Sequence, residues 1–229
     1  MSKSDLQGRL ALVTGTTGGI GLATCHDLAS TGCSIAVHYH SAASTAESLV
    51  NELRAKKVKA ESFQADLRNY EGVRKLHKKI VQTMGAPLIL FNNAGITIKH
   101  GVNDISGVSV EMFEETWRAN CGSAFLLTQL CLPEMERLGW GRIIFCSSVA
   151  GFIGGVVGPH YASSKSALHG LIHWLSQWYG PKGITANGVA PALIKNTKML
   201  PGDPGELANK VPIGRLGSPE EIAETVIWM

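Results

Sequence analysis

Tyr161 and Lys165 stand four residues apart in the run Tyr161-Ala162-Ser163-Ser164-Lys165. On a helix, that spacing raises both side chains from one face. A phenol ordinarily keeps its proton until about pH 10. An ammonium group about 4 Å away, at an effective dielectric near 20, is worth about 4 kcal/mol, an upper bound of roughly three pKa units. A tyrosine so placed could both donate and accept a proton near neutrality. Ser148, upstream of the pair, adds a hydroxyl. Each residue also has a plainer reading. Tyr-x-x-x-Lys is common on solvated helix faces, and a serine following Ser147 at a strand end can simply cap a turn.

A second chemistry-bearing segment lies near the N-terminus, at Thr14-Gly15-Thr16-Thr17-Gly18-Gly19-Ile20-Gly21. It follows an apolar run and opens a helix. Gly15, Gly19 and Gly21 would let the backbone pass close to a pyrophosphate facing the helix N-terminus. A tight strand-to-helix turn without ligand is the competing explanation. At the end of the next apolar run comes Val37-His38-Tyr39-His40-Ser41, which holds no carboxylate. An acidic residue there would bond a ribose 2′-hydroxyl and repel a 2′-phosphate. His40 and Ser41 could instead receive that phosphate, which favours NADP(H) over NAD(H). An exposed loop histidine is an equal alternative for His40.

The elements that must position these groups alternate along the chain. Strands are expected at 9–14, 34–39, 58–64, 87–91, 142–146 and 183–190. Helices are expected from the glycine turn to 30, at 44–56 with Ser44 as N-cap, at 69–84, at 110–138, and through Tyr161 and Lys165 to 179. Strands apolar on both faces, separated by helices, are the pattern of an α/β doubly wound parallel sheet. No repeat or linker divides the chain, so residues 1–229 read as a single dinucleotide-binding and catalytic domain. The stretch 191–210, with Pro191, Pro201, Gly202, Pro204 and Gly205, reads as a substrate loop. A helix beginning at Pro219-Glu220-Glu221 is still running at Met229, so a final strand is expected to be lacking.

Bulk properties narrow the classes. The formal net charge is +3 and the basic residues are scattered, which disfavours nucleic acid. Five cysteines without a Cys-x-x-Cys point to reduced thiols in a cytoplasmic protein, with no zinc site. No signal segment or membrane-length apolar run is present in the sequence.

Together these residues resemble the short-chain dehydrogenase/reductase family, most closely its 3-oxoacyl-(acyl-carrier-protein) reductase-like branch. The glycine turn, Asp66, Asn92-Asn93-Ala94-Gly95, Asn120, Ser148, Tyr161 and Lys165 stand in the family's order, and the similarity runs from about residue 8 to 229. The resemblance implies a carbonyl substrate, free or carrier-bound, reduced by hydride from NADPH, or an alcohol oxidised in the reverse direction. Tyr161 would be the general acid and Lys165 would lower its pKa and bind the nicotinamide ribose. Ser148 would hold the substrate oxygen, and Asn120 would hold a water that relays protons to Lys165. Gly15, Thr17, Gly19, Ile20, Gly21, His40, Ser41, Asp66, Leu67, Asn93, Ala94, Gly95, Tyr161, Lys165, Pro191 and Ile194 would form the cofactor cleft. Asn120 bonding only backbone, and Asp66 capping the next helix, are the duller alternatives. His160 is assigned no role. Two departures stand out: Pro191-Ala192 replaces the family's usual Pro-Gly, and Asn196 and Thr197 compete for the place of a following threonine. Aromatics on the two long helices suggest a dimer or tetramer. A non-catalytic dinucleotide-binding or assembly subunit is the competing function.

Overall fold

The structure, a computed structural model, describes residues 6–200 and 205–229. Pro201, Gly202 and Pro204, part of the expected substrate loop, lie outside the described residues. Six strands form one parallel sheet: β1 (Leu10–Val13), β2 (Ser34–Tyr39), β3 (Ala60–Gln64), β4 (Ile89–Asn92), β5 (Gly141–Cys146) and β6 (Ile184–Val189). Their order is β3-β2-β1-β4-β5-β6. The chain therefore winds outward from β1 one way, then returns to lay β4 on its other side. Crevices for ligands form at such a reversal, beyond the carboxyl ends of the strands.

Helices cover both faces. On one side lie α3 (Tyr70–Met84), α4 (Val110–Trp117), α5 (Ser123–Leu138) and α7 (Pro159–Tyr179), with the short α6 (Ala150–Ile153) packed on α7; on the other, α1 (Gly19–Ser30), α2 (Ala43–Ala55) and α8 (Pro219–Trp228). Two cores result. Leu12, Phe63, Leu90, Leu127, Met135 and Phe145 fill the first. Val13, Ile35, Leu49, Leu53, Phe91, Ile144 and Val226 fill the second. Successive β1 residues serve opposite cores, which is why Leu-Ala-Leu-Val is apolar throughout and buried throughout. Burying each large aliphatic chain contributes about 1.5–3 kcal/mol.

Local chemistry corrects several expected boundaries. The helix expected to start at Ser44 begins one residue earlier, behind Ala42, and no side chain caps it. Asn69, not Asp66, caps α3: its Oδ1 accepts from the amides of Glu71 and Gly72. The helix expected over 110–138 is interrupted by a wide turn at Arg118–Gly122, where the Ser123 amide donates to the Arg118 carbonyl five residues back. Apolar periodicity runs through that turn, so sequence pattern alone does not reveal it.

α8 starts with a capping box between Ser218 and Glu221 and packs against α1. Among the described strands, β6 pairs only with β5. No helix of the described residues is long and apolar enough to cross a membrane. The same residues hold no group of three or more His, Cys, Asp or Glu side chains able to bind a metal.

Candidate active site

Two backbone segments meet where the strand order reverses. Gly15 turns the chain out of β1 with φ +68°, a left-handed conformation that favours glycine. A Cβ there would stand 3.0 Å from the Ala94 Cα. The Thr14 hydroxyl accepts from the amides of Asn93 and Ala94, both at 3.0 Å. Asn93 Nδ2 returns bonds to the carbonyls of Thr14 (2.8 Å) and Gly15 (3.2 Å). The glycine turn and the Asn-Asn-Ala-Gly segment are thus one bonded unit.

Gly21 is buried against this unit: its Cβ would lie 2.8 Å from Asn93 Nδ2. Gly19 has a different neighbour. A Cβ there would meet the Asn196 carbonyl at 2.6 Å and Pro219 at 3.1 Å, so this glycine admits the loop after β6. Thr17 and Ile20 are half-buried beside it. Gly18 is the N-cap of α1 and brings no side-chain bond, and the helix has no acid in its first turn. Its amides and positive dipole end therefore suit an anion such as a dinucleotide pyrophosphate.

His38, given no role by sequence reasoning, braces the turn from below. Nearly fully buried on β2, it accepts from the Gly15 amide at Nδ1 (3.1 Å) and donates from Nε2 to the Ala65 carbonyl (3.1 Å). That pairing assigns the proton to Nε2. Burial holds the imidazole neutral, lowering its pKa to about 4. A histidine inside an otherwise apolar strand was the available clue.

The second cluster sits at the ends of β4 and β5. Lys165 is buried, and its Nζ donates to the Cys146 carbonyl at 2.7 Å. Its ammonium lies 5.7 Å from the Tyr161 ring centroid. A Cβ on Gly95 would stand 3.2 Å from Lys165 Nζ and 3.5 Å from Asn120 Oδ1, which places all three around one point. Asn120 lies in the wide turn and bonds Ile96 on both its amide and its carbonyl. Its Nδ2 also donates to Ser164 Oγ, which in turn donates to the Tyr161 carbonyl. Asn120 therefore does bond backbone. Wide turns of this kind frequently mark functional sites.

Ser148 is half-buried just past β5. Its hydroxyl accepts from the Ala150 amide (3.2 Å) and donates to the Pro191 carbonyl at 3.4 Å. Among the described non-glycine residues only Lys57 and Asn196 have positive φ, so Ala192 keeps the negative φ that the Pro-Ala departure requires. Ile194 is buried and bridges Gly217, while the Thr197 hydroxyl turns inward to the Ile194 carbonyl. Met199 closes the front: the Tyr161 hydroxyl points at its Sδ, 3.8 Å away.

At the far end of the crevice, His40 and Ser41 are exposed. His40 Nε2 is 3.8 Å from Asp66 Oδ2. Asp66 accepts from the Arg68 amide and guanidinium, whose hydrogen bonds hold its carboxyl below the usual range. Leu67 is buried beneath them. His160, beside Tyr161, is fully buried, which lowers its basicity.

Comparison with known proteins agrees with this architecture. A short chain dehydrogenase family model matches residues 9–204. The 3-oxoacyl-(acyl-carrier-protein) reductase FabG of Pseudomonas aeruginosa is 36% identical, covering 97% of this chain and 90% of its own. An L-rhamnose 1-dehydrogenase (NADP(+)) of Thermoplasma acidophilum is 32% identical, covering 98% and 90%. A blue fluorescent protein from a metagenomic library, solved with NADPH, superposes with a TM-score of 0.89 at 35% identity, covering 97% and 90%. A short chain dehydrogenase of Burkholderia cenocepacia solved with NADP gives 0.87 at 29%, with the same coverage.

Proposed function

The chain belongs to the short chain dehydrogenase family of oxidoreductases, and on that premise we propose that it is a single-domain NADPH-dependent reductase of carbonyl compounds, with 3-oxoacyl thioesters as the first substrate class to test. The observation that carries this reading is the convergence of Lys165, Asn120 and Gly95 beside the Tyr161 ring, at the mouth of a glycine turn built for a dinucleotide.

Bound NADPH would supply the hydride. Tyr161 Oη gives the substrate oxygen its proton, and Ser148 Oγ donates a hydrogen bond to the same oxygen. The Lys165 ammonium, held by the Cys146 carbonyl, stands 5.7 Å from the Tyr161 ring centroid. Asn120 fixes the Ile96 backbone and, through Ser164, the first turn of α7. Gly15, Thr17, Gly19, Ile20 and Gly21 would hold the pyrophosphate end of the coenzyme; Asp66, Leu67, His40 and Ser41 the adenosine end; Asn93, Ala94, Gly95, Pro191 and Ile194 the nicotinamide side.

Assembly belongs to the same reading. Phe125, Trp174 and Trp178 are exposed on α5 and α7. Beside them a cavity of about 530 Å³ is lined by Trp117, Cys121, Phe125 and Leu171. Apolar aromatics on one face fit a homodimer or tetramer.

The test is purified protein with NADPH against NADH and a panel of ketones including a β-ketoacyl thioester. L-rhamnose with NADP is added because a relative of comparable identity is named for that oxidation. Thioester reduction abolished in Tyr161→Phe is the expected result. Turnover undiminished in that variant overturns the assignment.

A further inference from the structure

We propose that His169 is a positioning residue for Ser148: its imidazole pins the chain on both sides of that serine, to Ser147 by a hydrogen bond and to Phe152 by stacking. The inference rests on the reduction chemistry proposed above and deepens it.

Lys165 already grips the end of β5 twice. Its Nζ donates to the Cys146 carbonyl at 2.7 Å, and its own carbonyl accepts from the buried Ser147 hydroxyl at 3.1 Å. That hydroxyl has a single proton to give. His169, one turn further along α7, brings Nε2 to 2.7 Å from the same Oγ. Both contacts are satisfied together when Ser147 donates to the carbonyl and Nε2–H donates to Ser147, which assigns the tautomer. Burial, and after it the neighbouring His173, lower the pKa of the ring. His169 therefore acts at neutral pH by bond and shape, not by charge.

The face of the same ring stacks on Phe152, with centroids 4.1 Å apart and planes 22° from parallel. Gly151 lets α6 approach α7 closely: a Cβ there would stand 3.0 Å from His169 Cε1 and 3.0 Å from the Lys165 carbonyl carbon. Ser148 is thus bracketed, directly after the hydrogen-bonded residue and shortly before the stacked one. Its own hold is slight, since its hydroxyl reaches the Pro191 carbonyl only at 3.4 Å, long for an O–H donor. Beside the ring lies a cavity of about 170 Å³ lined by Ile172, His173, Gly188 and Val189. An apolar side chain in place of the imidazole can settle into that space and release Ser147.

Steady-state kinetics and hydrogen exchange on His169→Leu, His169→Gln and Ser147→Ala test the assignment. His169→Leu is expected to lower kcat for the best ketone by about tenfold or more, with KM for NADPH within about twofold. His169→Gln keeps an amide N–H for Ser147 and should recover most of kcat. Ser147→Ala removes the other end of the same bond, so adding it to His169→Leu should cost little more. The Gly151 and Phe152 amides donate to the Ser148 and Val149 carbonyls and report on the segment without turnover. They should exchange roughly tenfold faster in His169→Leu and near the wild-type rate in His169→Gln, with the amides of α2 unchanged. Undiminished kcat in His169→Leu, or a His169→Gln variant as slow as His169→Leu, overturns the positioning role. Unchanged exchange at Gly151 and Phe152 overturns it too, as does equal acceleration in α2, which would mean the ring holds the whole fold. A wild type that reduces none of the ketones overturns the proposed reduction instead, and the exchange rates then decide the role of His169 on their own.

Discussion

Asn120 and Ile96 exchange two hydrogen bonds: the Ile96 amide donates to Asn120 Oδ1 at 2.7 Å, and Asn120 Nδ2 donates to the Ile96 carbonyl at 3.0 Å. The pair ties the wide turn before α5 to the loop after β4. Removing the side chain in Asn120→Ala leaves both half-buried Ile96 groups without this partner, at about 1–2 kcal/mol each. Urea denaturation should show a loss of about 2–4 kcal/mol. Activity should fall further than stability explains, since Gly95 and Lys165 share the same point.

Tyr161→Phe removes the proton donor and leaves the ring in place. Reduction should drop by roughly 10²–10⁴-fold, with 2′,5′-ADP affinity within twofold of wild type. Ser148→Ala should lose roughly 10²-fold in kcat, measured by initial rates with the best ketone of the panel. A Ser148→Ala enzyme at full speed would remove the serine from the mechanism.

Met199 Sδ occupies the space in front of the Tyr161 hydroxyl. Met199→Ala should therefore lower KM for bulky ketones several-fold, and Met199→Trp should raise it. Neither should change KM for NADPH, because the contact is with the Tyr161 hydroxyl, the proposed proton donor to the substrate. Equal effects on both KM values would contradict that placement.

His38 links acidity to stability. Its folded pKa is lowered from 6.5 to about 4 by burial. Between those values the unfolded chain binds the proton and the folded one does not, so stability rises with pH across the window and is complete above it. The difference amounts to about 3 kcal/mol, lost as pH falls from 6.5 toward 4. Thermal unfolding of wild type and His38→Gln across pH 4–7 should show the shallower slope in the variant.

The parts of this fold that were legible from sequence are those governed by local pattern. β1, β4 and β5 serve two cores at once and so read as unbroken apolar runs. Tyr161 and Lys165 could be paired because helical periodicity alone puts them on one face. The missed features depend on distant chain. The His38 ring matters through Gly15 and Ala65, Met199 through Tyr161, and Arg68 through Asp66 and Glu115. Ser44 illustrates the converse: a favourable capping residue passed over because α2 starts one position earlier. At Gly19 a second constraint, invisible in the spacing, comes from distant chain: a Cβ there would meet the Asn196 carbonyl.

The bond between the glycine turn and Asn93-Ala94 joins segments almost eighty residues apart. A chain leaving the ribosome will therefore have made β1, α1 and β2 long before either wall of the crevice can stand. It should ignore nucleotide until β4 has emerged and docked, and should gain protection from it only when α7 has followed. Arrested nascent chains of increasing length, probed by limited proteolysis with and without 2′,5′-ADP, should switch from indifferent to shielded within that interval.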